Sequence, residues 1–509
     1  MADNANLYAI LEASFARRQS AIAFSFADGN STSYAALDAQ VSQMANALAA
    51  RGVKAGDRVM VQGEKSYQNV LLYLATVKAV AIYNPLNTAY TATELDYFIG
   101  DAKPKLLVVD PAKLAALKPI ADKAGVAHID TMAPDGTGTL ATFAATQGEK
   151  HATAVQAADD LAALLYTSGT TGRSKGAMIT HRNLSSNALT LVDYWGFSDK
   201  DVLLHALPIF HVHGLFVALN TTLLAGGRII WQPRFDLAAV LKALPDSTVM
   251  MGVPTFYTRL LGDKSFGPAH CKAMRLFISG SAPLLAETHV EFEQRTAMKI
   301  LERYGMTETG MITSNPYHKG ERIAGTVGYA LPEVSVRIAG DGGAILPAGE
   351  VGVLEVKGPN VFKGYWNNPE KTAQEFRDDG YFITGDLSVL APDGRVSIVG
   401  RAKDLIITGG FNVYPKEIED ELNALQGVAE SAVIGIPHPD FGEGVVAVVT
   451  PIAGATLQSE AEIIGHLGER LAKFKLPKRV FVLADLPRNA MGKVQKAELR
   501  GTYGRTFAK

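Results

Sequence analysis

Behind Ser33, a residue able to cap a helix, the apolar positions Leu37, Val41, Met44 and Leu48 recur along one helical face, and Gly52 marks the stop. A short apolar run, Arg58 to Val61, predicts a strand. A helix over Val70 to Val80 and a strand over Lys105 to Val109 repeat the alternation, which is the pattern of layered α/β architecture. From Asp135 to Asp160 the chain becomes rich in Ala, Thr and Gly and is expected to form a loosely packed connection. Buried strands are predicted at Leu161 to Tyr166, Val202 to Leu207, Thr248 to Val253 and Met274 to Ser279, with a helix over Asn183 to Trp195. Beyond Gly325, short alternating stretches such as Leu354 to Lys357 and Arg395 to Val399 suit a small β barrel or sheet. The texture changes again near Arg401. Pro415 opens a helix with Ile418, Leu422 and Leu425 on one face and Gly427 as its stop, and strands follow at Ser431 to Ile436 and Val445 to Val449. A helix over Glu460 to Ala472, a strand over Arg479 to Leu483 and a basic tail complete a compact α+β unit.

Composition narrows the function classes. A chain of 509 residues is too long for one small core and predicts two to four domains. Apolar residues at 47% and charged residues at 20% argue for packed interiors and against disorder. Lys+Arg 49 against Asp+Glu 51 leaves a net charge of −2, which carries no polyanion-binding footprint, so no nucleic-acid partner is expected. Cys271 is the only cysteine, which excludes an intrachain disulfide and a thiolate zinc cluster and suits a reducing cytoplasm. The first residues lack a basic region followed by an apolar core, so no signal peptide is expected. The most apolar segment, Val70 to Tyr83, carries Lys78 and is too short to span a bilayer, and His205 to Leu224 contains Pro208 and three histidines; no membrane association is predicted.

Chemistry concentrates first in Tyr166-Thr-Ser-Gly-Thr-Thr-Gly-Arg-Ser-Lys-Gly176, where glycines, hydroxyls and two cations share one turn after an apolar strand. Glycines let backbone amides approach an anion, hydroxyls supply rotatable donors, and Arg173 with Lys175 adds charge, so the turn suits phosphates. A Walker loop is excluded because Ser174-Lys175-Gly176 breaks the Gly-Lys-Ser/Thr order. A flexible surface loop would favour Gly and Ser without paired cations.

Five further clusters follow. His211 and His213, in Leu207-Pro-Ile-Phe-His-Val-His-Gly214, share a face if extended; with no third ligand nearby, they suit pocket lining or a satisfied core better than zinc. Tyr304-Gly-Met-Thr-Glu308 offers a ring to stack a base, a hydroxyl for a phosphate and a carboxylate for Mg²⁺. In Tyr381-Phe-Ile-Thr-Gly-Asp386 an acidic residue follows a Gly where a strand ends, a place suited to ribose hydroxyls. Gly400-Arg-Ala-Lys-Asp-Leu-Ile-Ile-Thr-Gly-Gly-Phe411 sets charges at the change of texture and paired glycines after it, and Leu486-Pro-Arg-Asn-Ala-Met-Gly-Lys493 presents a lysine on a glycine turn expected at the surface.

In this order, and over essentially the full length, these motifs resemble the adenylate-forming superfamily of acyl-CoA synthetases, non-ribosomal peptide adenylation domains and beetle luciferases. The resemblance implies an N-terminal AMP-binding region, 1–402, of two α/β subdomains plus a small β barrel, and a mobile α+β C-terminal domain, 403–509, hinged at Lys403. It implies that Thr167, Ser168, Gly169, Thr170, Thr171, Gly172 and Lys175 grip the β- and γ-phosphates of ATP, and that Tyr304, Gly305 and Met306 flank the adenine. By the same carry-over Thr307 would touch the α-phosphate, Glu308 would hold Mg²⁺, and Asp386 and Arg401 would bind ribose. Lys493 would bridge the substrate carboxylate and the α-phosphate, with His211 counted beside Lys493, Thr307 and Glu308 among the catalytic positions. Gly409 and Gly410 would line the tunnel for the pantetheine of CoA, the cosubstrate.

The acid itself is suggested by Val253-Pro-Thr-Phe-Tyr-Thr-Arg259, which adds a cation beside the segment expected to line the acyl pocket. A buried guanidinium needs an anion, and a carboxylate supplies one. Together with Ser281 in Ile278-Ser-Gly-Ser-Ala-Pro283 and the Phe-His-Val-His-Gly run, this stretch is similar to malonyl-CoA synthetases, which implies that Arg259 and Ser281 hold the distal carboxylate of malonate or methylmalonate. Ile312 departs from the Asn common in those enzymes, and Met306 is expected to shape the alkyl space. The alternatives are a short-chain or oxalate CoA ligase and an adenylation enzyme that loads a carrier protein. The expected partners are therefore small molecules, with the protein a monomer or weak dimer.

Overall fold

The computed structural model describes residues 4–167, 174–409, 411–489 and 492–508. Two large sheets, each parallel through its centre, form the scaffold. The six-stranded sheet runs in the order His128–Thr131, Leu106–Val109, Arg58–Gln62, Ile82–Pro85, Leu161–Thr167, Lys175–Thr180. Only its last pair is antiparallel, with Thr167 opposite Lys175, so the strands on either side of the phosphate-type stretch pair with each other. The nine-stranded sheet places Leu301–Met306, Leu276–Ser279, Val249–Gly252, Val202–His205 and Arg228–Trp231 side by side in parallel. Their near-continuous apolar runs are what strands covered on both faces require. One hydrophobic core joins these layers, and a second fills the outer face of the six-stranded sheet.

Ser33 caps the helix Tyr34–Ala50, accepting from Ala36 N, and Gly52 lies just beyond it at φ +71°, as the apolar spacing predicts. The helix expected at Val70 starts earlier, at Tyr67, because Ser66 accepts from Asn69 N, and it ends at Lys78 before Val80, which has φ 60°. The connection expected to be loose holds a short helix, Thr139–Ala144, whose Leu140 is buried. Helices Leu7–Arg17 and Ala92–Ala102 have no counterpart in the sequence pattern above; the first is capped by Asn6, the second by a reciprocal Thr91–Glu94 box.

The β region after Gly325 is a four-stranded antiparallel meander, Ser335–Ala339, Val351–Lys357, Phe382–Leu390 and Val396–Arg401, and its last pairing sets Asp386 opposite Arg401. The C-terminal sheet of five strands is built on the long hairpin Val428–His438 and Gly442–Pro451, with apolar clusters on both faces. The helix Glu460–Gly468 stops four residues short of the predicted Ala472. Among the described residues no helix is long and apolar enough to cross a membrane.

Asp201 ties the centre of the nine-stranded sheet together. Arg275 grips it with Nε and Nη2 at 2.6 and 2.9 Å, the Thr248 hydroxyl donates at 2.8 Å and Ser198 N at 2.8 Å. Burial presses the carboxyl upward, but these donors outweigh it and hold Asp201 below its ordinary value of 3.8. A carboxyl held low in the fold stabilises it above the ordinary carboxylate range and loses that contribution as pH falls through the native value. Asp201→Asn is therefore expected to cost about 2 kcal/mol at neutral pH. Thermal midpoints of both proteins from pH 7 to about 3 should show the gap narrowing at the acid end.

Candidate active site

Most of the sequence-selected residues meet where the carboxyl ends of the parallel strands face the C-terminal unit. The strand Leu301–Met306 turns back on itself, and Gly305 is required there because a Cβ would stand 2.0 Å from Gly310 O. Thr307 and Glu308 sit in the turn. Glu308 is buried, its carboxyl pushed up chiefly by burial, and one of its oxygens lies 3.2 Å from the Tyr365 hydroxyl oxygen. The same hydroxyl donates to Glu375 at 2.6 Å, and Glu375 lies 3.7 Å from Lys175, so the metal-type carboxylate and the phosphate-type lysine belong to one network. Thr167 Oγ1 donates to Lys175 O at 3.4 Å. Ser168, Gly169, Thr170, Thr171, Gly172 and Gly410 lie outside the described residues.

Asp386 is buried between two partners. Arg401 Nε is 2.6 Å from Oδ1, and the Tyr304 hydroxyl donates to Oδ2. Met306 is half-buried beside them. The ring expected to stack a base is thus anchored by the carboxylate expected to hold ribose. Lys493 enters from the C-terminal unit on a turn closed by Asn489 N donating to Lys493 O at 2.9 Å, and the preceding Gly492 packs beside Thr255. More than a third of the Lys493 surface stays accessible, as the glycine turn suggests. Yet the ammonium stands in the cleft beside Arg401, Asp386, Lys403 and Asp404, and loss of water, then repulsion from Arg401, pull it down to about 8. Lys403 is in the turn between the meander and the C-terminal sheet; burial of its head also lowers it, and its neighbour Asp404 pairs with Arg500 at 2.6 Å. Gly409 ends the strand Ile406–Thr408 at φ +57°, its N–H bonded to Phe441 O at 2.8 Å.

The acid-binding end differs from expectation. Arg259 is exposed in the last turn of the helix Pro254–Gly262, its guanidinium 5.9 Å from the Phe235 ring centroid, so it is not the buried cation the sequence suggested. Phe256, Tyr257, Leu260 and Leu261 make the buried face of this helix, and at about 100° per residue Arg259 falls on the opposite side. A buried guanidinium is Arg303, 2% exposed, whose Nε and Nη2 have no hydrogen-bond partner among the described residues. It packs on Gly280, where a Cβ would lie 2.4 Å from its Cζ. Neighbouring Glu302 does not compensate it: alternate residues of a strand face opposite ways, and Glu302 instead accepts from Leu284 N at 3.4 Å. Burial pulls Arg303 down to about 9.

Around Arg303 stand His211, half-buried, and His213, fully buried, both held below their usual range by loss of water and then by its charge, His211 at about 4. Ser281, with a strained φ of 72°, brings Oγ to 3.2 Å from His213 Nδ1, while His213 Nε2 has no partner. Uncharged histidines, a hydroxyl and an orphaned guanidinium make a polar pocket for an anion. Val212, Phe216 and Thr307 line a small cavity that Asn183, Asn187 and Asn360 also line. Arg303 was passed over in the sequence because it precedes the Tyr-Gly-Met-Thr-Glu motif; the signal available was the charged pair Glu302-Arg303 at the start of a buried strand.

Residues 11–366 match the AMP-binding enzyme family and residues 417–493 the AMP-binding enzyme C-terminal domain. The chain is 57% identical to ATP-bound MatB of Rhodopseudomonas palustris, over 99% of this chain and 100% of the other, with a TM-score of 0.97. It is 36% identical to the feruloyl-CoA synthase of an Amycolatopsis species over 94% of this chain and 95% of the relative, and 36% identical to the malonate–CoA ligase of Arabidopsis thaliana over 87% and 78%. The chain belongs to the AMP-binding enzyme family. Within it, the chain is an acid–CoA ligase that uses ATP.

An unpaired buried guanidinium destabilises the protein that holds it. Arg303→Met is expected to stabilise the ligand-free protein by about 1–3 kcal/mol, read as a higher thermal midpoint; a lower midpoint would mean that the guanidinium has a counter-charge.

Proposed function

We propose that this ligase activates malonate or a methyl-substituted malonate with ATP, passing the acyl group through an adenylate to CoA and releasing AMP and pyrophosphate. The observation that carries this reading is Arg303: a guanidinium set among His211, His213 and Ser281, with two nitrogens unpartnered among the described residues, invites a second carboxylate. The reacting carboxylate then lies toward Thr307 and Lys493. The carboxylate contact is assigned to Arg303 with Ser281 in place of Arg259.

In the first half-reaction a carboxylate oxygen attacks the α-phosphate and pyrophosphate leaves. Anions are crowded together, so the task of the protein is preorganised positive charge. Lys493 bridges carboxylate and α-phosphate, Lys175 and the Thr167 hairpin hold the β- and γ-phosphates, Thr307 donates to the α-phosphate, and Asp386 with Arg401 orients ribose while Tyr304, Gly305 and Met306 flank the adenine. The buried, weakly solvated Glu308 carboxylate suits Mg²⁺ held jointly with the nucleotide phosphates, where the ion would neutralise charge on the leaving group. CoA then needs the place Lys493 occupies. We assign residues 403–509 to a unit that turns at Lys403, bringing the Gly409 loop to the thiol's path.

The testing assay is AMP and pyrophosphate release with Mg-ATP, with and without CoA, on malonate, methylmalonate, oxalate and acetate. CoA-dependent turnover highest on malonate or methylmalonate is expected; preference for acetate would overturn the dicarboxylate reading, and indifference to CoA would favour a carrier protein as acceptor. Arg303→Leu should lower kcat/KM for malonate about a hundredfold and leave acetate turnover undiminished. Because the ammonium form of Lys493 is required and its native value is about 8, acid-dependent ATP–pyrophosphate exchange should fall as pH rises through that value. Lys493→Arg should move this alkaline limb upward.

A further inference from the structure

Lys65 is 8% exposed, and among the described residues it pairs with no carboxylate. Its ammonium lies 2.9 Å from His205 O, 2.6 Å from Gln232 O, 2.9 Å from His205 Nδ1 and 4.1 Å from the Trp231 ring centroid. The other nitrogen of His205, Nε2, is 2.9 Å from Gly214 O. A carbonyl oxygen only accepts, so Nε2 carries a proton. Three acceptors around Nζ then take the three ammonium protons, which leaves the charge on Lys65 and His205 neutral with Nδ1 as acceptor.

This chain of bonds crosses the molecule. Lys65 follows the strand Arg58–Gln62 of the six-stranded sheet, whereas His205 and Gln232 stand at the ends of adjacent strands of the nine-stranded sheet. Gly214 lies in the wide-turned helix His213–Asn220, behind the His211–His213 segment. Its place is tight, since a Cβ would be 2.1 Å from Pro208 O. The turn 208–214 is thus braced at Gly214 from two sides, and what it presents to the pocket is His213, facing Ser281. A methionine would fill the Lys65 volume with no charge to desolvate; what lysine adds is direction, because it fixes the ring and tautomer of His205.

We propose that Lys65, acting through His205, is a positioning residue for acid binding: it holds the Gly214 carbonyl, and with it the turn that sets His213 against Ser281 and Arg303. The inference rests on the acid-pocket reading for what the turn serves, not for the contacts themselves. The test compares the full-length wild type with Lys65→Met, His205→Leu and His205→Gln, measuring kcat and the KM values for acid and for ATP.

Lys65→Met and His205→Leu should raise the KM for acid about tenfold while kcat and the KM for ATP stay within about twofold. His205→Gln, whose amide accepts from Lys65 and donates to Gly214, should stay within about threefold of wild type. An unchanged KM for acid, a parallel rise for ATP, or a His205→Gln protein as impaired as His205→Leu overturns the proposal. Should Lys65→Met not fold, the two His205 variants decide alone. Failure of the malonate reading appears in the wild type, where another acid is preferred and its KM becomes the readout; failure of the positioning role appears only in the variants.

Discussion

An ionised side chain taken out of water costs several kcal/mol unless a counter-charge or a full set of hydrogen bonds replaces the lost solvent. Arg303 has neither, with two guanidinium nitrogens unpartnered in an interior that also lowers its proton affinity. The pocket around it follows from this constraint. Gly280 gives the guanidinium room, the two histidines are kept uncharged, and Ser281 accepts a strained backbone to aim its hydroxyl. A carboxylate from outside would complete the set.

The scaffold solves the delivery problem with parallel strands. Strands Val202–His205, Arg228–Trp231, Val249–Gly252 and Leu276–Ser279 end together, so residues just past their ends gather in one crevice, the usual place for ligands in open α/β sheets. Cations are supplied from different elements: Arg303 from a central strand, Lys175 from the edge hairpin of the other sheet, Arg401 from the meander and Lys493 from the C-terminal unit. Each has a different degree of compensation. Arg401 has Asp386, Lys175 has Glu375 at longer range, and Lys493 has the mixed field of Asp386, Asp404 and Arg401. That gradation suits groups that must release one partner to take an anionic one.

Local signals account for much of what was legible in advance. The Ser33 cap, the glycine stop and the apolar spacing placed the helix Tyr34–Ala50, and continuous apolar runs placed the central strands to within a few residues. Helices Leu7–Arg17 and Ala92–Ala102 escaped because their apolar faces are short and their caps decide them. The Tyr304–Glu308 motif was legible because it is a turn at a strand end, where the local backbone already dictates which residue types are tolerated, as Gly305 shows, whereas Asp386, expected at a strand end, lies within the strand Phe382–Leu390 and reaches the cleft through its pairing with Arg401.

By itself the sequence determined the order of chemical groups along the chain: a phosphate-type hairpin, a hydroxyl and carboxylate turn, an acidic residue opposite an arginine, and a terminal lysine. Those are properties of short segments, set by glycine, register and charge. Which arginine is buried was decided only by tertiary structure, because Arg259 and Arg303 are equally charged in sequence, while burial depends on what packs over them: open surface at the last turn of a helix for one, sheet and histidines for the other. The bond from Lys65 through His205 to Gly214 belongs to the same kind, since it joins residues 140 positions apart that only the meeting of two sheets brings together.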